Sequence, residues 1–125
     1  MIAYPRPTHS TPAPTLRIVG IGNAGVHLAD RLVMAGEVGA DVVVMNTDVQ
    51  SLTSSIASKK LTLGPKVTRG LGAGGDPEVG YQAAQESLSE IRDAVKEVDL
   101  IFLCAGLGGG TASGIAPVVA EMARE

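Results

Sequence analysis

The residues of this chain that could do chemistry are three clusters of glycine: GIGNAG over 20–25, GLGAGG over 70–75 and GLGGG over 106–110. Glycine reaches φ > 0 and has no Cβ, so such loops let backbone N–H groups close on a phosphate. A helix that starts behind the loop adds unpaired N–H groups and the positive end of its dipole. The chemistry on offer is therefore anion binding by the main chain. No Lys or Arg lies inside the first or third cluster, and no GxxxxGK segment occurs, so this is not a Walker A loop. Three converging loops could hold a di- or triphosphate without a lysine. Taken alone, the first cluster fits G-x-G-x-x-G through Gly20, Gly22 and Gly25, and Asp48 follows near the spacing of a ribose-binding acid. That pattern also describes tight βα turns, so the second and third clusters must decide.

The elements that position these loops follow from periodicity. LRIVGIG predicts a strand over 16–20, and VHLADRLVMAG a helix with Leu28 and Leu32 four apart and Gly36 as its stop. ADVVVMNTD is a second strand whose continuous apolar run suits burial on both faces. SLTSSIASKK reads as a short helix or irregular crossover, and KKLTLGP as a weak strand. Asp76 as N-cap with Pro77 behind it starts a helix in which Leu88, Ile91, Val95 and Val98 form one apolar stripe. DLIFLCAG is the clearest strand, and GLGGGT opens a last helix, ASGIAPVVAEMARE, with Pro117 tolerated near its start. Met34, Met45 and Met122 read as core filler, and Cys104 as a small buried hydrophobe. Alternating strands and helices imply an α/β fold, a Rossmann-like parallel sheet with helices on both faces. Ligands of such sheets sit at the C-terminal strand ends, where all three clusters fall.

Composition narrows the function. The 125 residues are 45% hydrophobic and 18% charged, a globular balance, with a core of Val, Ile, Leu and Ala because aromatics are only 2%. The net charge of −3 offers no basic face, which argues against nucleic acid as a partner. A single cysteine excludes an internal disulfide and fits a reducing compartment. No apolar run reaches spanning length and no signal-peptide core is visible, so the cytoplasm is expected and membrane insertion is not. Residues 1–15 hold four of the seven prolines and read as a disordered tail ahead of one domain over 16–125.

At NTD (46–48), TRGLGAGGDPEVG (68–80) and AGLGGGTASGIAPVVAE (105–121), the chain resembles the tubulin/FtsZ family of GTP-binding, polymer-forming proteins, over essentially all of 16–125. The resemblance implies GTP or GDP with Mg²⁺ as cofactors, head-to-tail self-assembly into the protofilaments of a division ring, and other cell-division proteins as partners. Gly20, Gly22, Asn23, Ala24 and Gly25, with Val26 and His27, would wrap the α- and β-phosphates and the ribose. Asn46 and Asp48 would form the second loop, and Ala73, Gly74 and Gly75 would face the γ-phosphate. Gly108, Gly109, Gly110 and Thr111, with Ala112 and Ser113, would be the main phosphate cradle. A Mg²⁺ would be held largely by phosphate oxygens and water.

Several positions depart from the family pattern. Asn23 and Ala24 stand where the family has glycines, and His27 stands where it has a nucleotide-contacting asparagine. Ala112 replaces a glycine and Ser113 a threonine, which keeps a hydroxyl. The resemblance places the base-gripping residues and the hydrolytic acids in later segments, so the chain reads as the N-terminal part of the domain. It holds no catalytic constellation of its own: Asp76 reads as an N-cap and Glu78 as first-turn dipole compensation. Arg69 reads as a solvated loop arginine. An open sheet edge beyond the last strand is expected, with marginal stability or pairing of two copies through it. Two other readings remain: a Rossmann NAD-binding domain of an oxidoreductase, and a non-catalytic module that modulates assembly. GLGGGT after the fourth strand speaks against the NAD reading.

Overall fold

A computed structural model describes residues 15–36, 41–106 and 110–124. The expected tail over 1–15 lies outside them except for Thr15, and so do Gly108 and Gly109. The elements run β1 (Leu16–Ile21), α1 (Gly22–Ala35), β2 (Asp41–Asn46), α2 (Val49–Ser54), β3 (Lys59–Thr62), α3 (Pro65–Thr68), α4 (Pro77–Glu86), α5 (Leu88–Val95), β4 (Leu100–Ala105) and α6 (Gly110–Ala123).

The four strands form one parallel sheet in the order β3-β2-β1-β4. Gly20 stands beside both Val44 and Cys104, and Ile21 beside Met45 and Ala105, so β2, β1 and β4 end nearly level. The chain winds to one side from β1 through β2 to β3, then returns to place β4 on the other side of β1. Each face buries one core. Ile18, Val42 and Val44 pack under α1 and α2 through Val26, Ala29 and Leu52. Val19, Ile21, Val43 and Met45 pack under α4, α5 and α6 through Ala83, Ile91, Ile115 and Val119. Helices on both faces and the α/β alternation are as expected. β2 carries the continuous apolar run and is buried from Val42 to Asn46.

Several elements differ from the sequence reading, each for a physical reason. α1 starts at Gly22, inside the first glycine cluster, because Gly22 takes φ +77 and turns the chain straight from β1 into the helix. Its buried face is Gly22, Gly25, Val26 and Ala29, so the helix lies close to the sheet on small residues. Leu28 is half exposed, and Met34, expected in the core, is 76% exposed on the outer side. The close approach centres on Gly25, where a Cβ would collide with the Cys104 carbonyl oxygen; a Cβ at Gly20 would likewise strike the Gly25 carbonyl.

The single helix expected after Asp76 is two, α4 and α5, joined at Ser87. Ser87 leaves helical geometry at φ −111 and ψ 27, and its buried hydroxyl accepts from the Gly64 N–H at 3.0 Å. The stripe continues through Ile91 and Val95, while Val98 falls beyond α5. α3 is one unforeseen turn between β3 and the second glycine cluster. α6 begins at Gly110, so Thr111 belongs to the helix, which runs on through an exposed Pro117. β4 is a strand as expected, but no strand among the described residues pairs with its outer side. Leu100 and Phe102 are consequently more than half exposed.

Gly25→Ala is expected to destabilise the fold by roughly 1–3 kcal/mol, the usual cost of overpacking, because the added methyl meets backbone that cannot swing aside. Urea denaturation followed by circular dichroism measures this. An unchanged midpoint would mean that α1 does not lie this close to β4.

Candidate functional site

The winding leaves a crevice where β1 and β4 end side by side while their following helices leave on opposite faces. This is the switch point of a parallel sheet, where ligands of such folds sit. A cavity of about 420 Å³ lies there. Gly22, Asn23 and Ala24 of the first cluster line it, with Asn46 and Asp48 at the end of β2. Ala73, Gly74 and Gly75 come from the second cluster, and Thr111 and Ala112 from the start of α6. Ile21, Leu71, Gly72 and Gly106 also line it; they lie within the three glycine clusters but were not among the nucleotide contacts that the resemblance implies.

The other expected residues fall elsewhere. Gly20, Gly25 and Val26 are buried beneath the lining, where they let α1 meet the sheet. His27 is exposed one turn along α1, and Ser113 is exposed on α6; neither lines the cavity. Gly110 is the first residue of α6. Arg69 is exposed outside the lining, in left-handed geometry at φ 57.

The N-termini of two helices converge on this space. α1 begins at Gly22 and α6 at Gly110, so each brings unpaired first-turn N–H groups and a positive dipole end to the cavity. The two starts touch: a Cβ on Gly22 would lie 3.4 Å from the Ala112 Cβ. Ala112 is buried and belongs to the core as well as to the lining, so its methyl fills the seam between the two helices. Ala73 to Gly75 also line the cavity, ahead of the Asp76 cap of α4, whose side chain accepts from the Glu78 N–H at 3.0 Å.

What ties the three loops together is a pair of buried polar residues, Asn46 and Thr47. Asn46 Nδ2 donates to Asn23 Oδ1 at 2.7 Å, which fastens the first loop. Its Oδ1 accepts from the N–H groups of Thr47 at 2.8 Å and Asp48 at 3.3 Å, and this fixes the orientation of the amide. Thr47 Oγ1 lies 2.8 Å from Thr111 Oγ1, which fastens the start of α6. Thr68 Oγ1 lies 3.3 Å from both the Thr47 and the Gly64 carbonyl oxygens, which share its proton, and it accepts from the Gly70 N–H at 3.3 Å, which fastens the second loop. Asn46 is 1% exposed and Thr47 fully buried. Thr47 escaped the sequence reading because a threonine at a strand end has no local signature; its partners are 21 and 64 positions away.

Asp48 is both a cap and a wall. One carboxylate oxygen accepts from the Gln50 N–H at 3.0 Å at the start of α2, and the residue also lines the cavity. Among the described residues no group of three His, Cys, Asp or Glu side chains could by itself hold a metal ion. Cys104, expected to be buried, is only partly so, and that burial pushes its thiol above its ordinary value.

A doubly wound parallel sheet with a glycine-lined cavity at its switch point is the class that fold and site define. The model of the tubulin/FtsZ family GTPase domain matches residues 15–125. The cell division protein FtsZ 1 of Pyrococcus horikoshii is 47% identical over 110 residues, 88% of this chain and 30% of that protein. The solved structure of an empty FtsZ dimer from M. jannaschii superposes with a TM-score of 0.87 at 48% identity, covering 90% of this chain and 33% of that one. CetZ2 of Haloferax volcanii, solved as a GTPγS-bound protofilament, superposes with a TM-score of 0.76 at 33% identity over 86% of this chain and 35% of that one. The chain belongs to the tubulin/FtsZ family, and it spans about a third of the length of these relatives.

Asn46→Ala leaves the buried Thr47 N–H and Asn23 Oδ1 without their partners. It is expected to destabilise the fold by roughly 1–3 kcal/mol, the cost of an unmade buried hydrogen bond. A chemical denaturation curve that coincides with that of the unsubstituted chain would show that the network does not hold the loops.

Proposed function

We propose that this chain is the phosphate-binding part of a GTPase that binds GTP and GDP at the switch-point cavity and assembles head to tail in cell division. The observation that carries this reading is the convergence of three glycine loops, tied by Asn46 and Thr47, on one cavity at the strand ends. First-turn N–H groups of α1 and α6 would take the α- and β-phosphates, with the Thr111 hydroxyl beside them. Gly108 and Gly109, outside the described residues, belong by sequence to the same cradle. Ala73, Gly74 and Gly75 line the same cavity, where a γ-phosphate would distinguish GTP from GDP. The missing lysine is no obstacle, because the dipoles and N–H groups of two helices supply the positive potential.

Mg²⁺ fits this donor set in one way only. Among the described residues Asp48 is the single carboxylate on the lining, so the ion would be held largely by phosphate oxygens and water, with Asp48 as one further oxygen. When bound, the ion would offset phosphate charge.

Hydrolysis and base recognition would draw on family segments outside this chain. Self-assembly rests on the relatives, one of which was solved as a protofilament and another as a dimer. Other division proteins as partners and a cytoplasmic, mid-cell location belong to the same reading. No helix among the described residues is long and apolar enough to cross a membrane. The NAD reading of the first cluster is disfavoured because the second cluster and the start of α6 line the same cavity.

Isothermal titration of the chain with GTP, GDP and NADH, each with Mg²⁺, tests the proposal. Both guanine nucleotides are expected to bind and NADH is not. Binding of NADH without GTP would overturn the reading. Ser113→Thr, off the lining, is expected to change GTP affinity less than about twofold, an effect well under 1 kcal/mol.

A further inference from the structure

We propose that Thr47 is a positioning residue for the phosphate site: its hydroxyl donates to Thr111 Oγ1 and so commits the Thr111 proton to the ligand. The proposal rests on the nucleotide reading above and deepens it. Two hydroxyls in contact carry two protons, of which only one lies between them. Thr47 is fully buried, and Thr111 Oγ1 is its hydroxyl's hydrogen-bond partner among the described residues, at 2.8 Å. If Thr47 accepted this bond, its own proton would find no acceptor among the described residues, an arrangement that folded proteins avoid in the interior. Thr47 is therefore the donor. Thr111 is only half-buried and lines the cavity at the second position of α6. With one lone pair occupied by Thr47, it offers its proton to the cavity side.

A phosphate oxygen only accepts, so of what Thr111 has left, one lone pair and its proton, it takes the proton. Chained hydroxyls polarise one another, and the Thr111 donor is stronger for having accepted from Thr47. The Thr47 main chain is itself held at its N–H by Asn46 Oδ1, with Thr68 Oγ1 beside its carbonyl, which places its Oγ1 beside Thr111. Thr47 never touches the ligand; it acts through Thr111.

The test is a double-substitution cycle read by titration with GDP and Mg²⁺, on the unsubstituted chain and on Thr47→Val, Thr47→Ser, Thr111→Val and Thr47→Val/Thr111→Val. Valine keeps the shape of threonine and removes the hydroxyl. Thr47→Val is expected to weaken GDP binding about tenfold, the scale of one hydrogen bond to a charged group. Thr47→Ser is expected to restore affinity to within about twofold, and the double variant to bind no more weakly than Thr111→Val alone. A Thr47→Val chain that binds GDP as tightly as the unsubstituted one overturns the proposal, as does equal loss from Thr47→Val with and without Thr111. If Thr47→Val fails to fold, Thr47→Ser decides: serine keeps the donor, so a serine variant that folds and binds tenfold more weakly also overturns it. An unsubstituted chain that binds no guanine nucleotide overturns the nucleotide reading itself, and the two failures are thereby told apart.

Discussion

The close approach of α1 to the ends of β1 and β4 is the constraint on which the site depends. The backbone at Gly25 sits against the Cys104 carbonyl, and Gly20 sits under Gly25, in space that no side chain could share. Because α1 lies this low, its first N–H groups open at the height where β1 and β4 end. Because β4 ends level with β1, Gly106 lines the same cavity, and α6 starts against α1 at Ala112. Raise α1 by the thickness of one methyl and the two helix starts no longer share a cavity. The glycines beneath the lining thus matter as much to the site as those on it.

Backbone loops alone would not hold this geometry, since glycine pays the largest entropic cost on ordering. The restraint comes from side chains at the end of β2. That strand is buried between two cores, which makes its last residues the most fixed points near the cavity. Asn46 and Thr47 extend this rigidity outwards by hydrogen bonds to all three loops. A buried polar network is costly unless every member is satisfied, and here each bond that satisfies a buried group also positions a loop. The site therefore combines adaptable main-chain donors with a stiff polar knot behind them.

Much of this was legible in the residues. β2 is a run of apolar residues and proved buried; Asp76 with Pro77 starts a helix, and Gly36 stops one in left-handed geometry. These signals are local, because capping and burial on both faces leave their mark within a few residues. The misplaced features depend on distant partners. The break at Ser87 is set by its bond to Gly64, and the exposure of Leu28 and Met34 by a helix that docks on glycine and alanine instead of leucine. β4 has the composition of a central strand but stands at the edge of the described sheet, since strand order is not written in any one strand.

By itself, the sequence determined the alternation of strands and helices, the three glycine loops at one end of the sheet and, through their ordered motifs, the family. These follow from local rules: the periodicity of side chains, the freedom of glycine and the capping of helix ends. Tertiary structure alone decided which of those residues face the cavity and which lie beneath it, and it alone brought Thr47 to Thr111. Hydrogen bonds between residues 64 positions apart exist only once the sheet has set the ends of β1, β2 and β4 side by side.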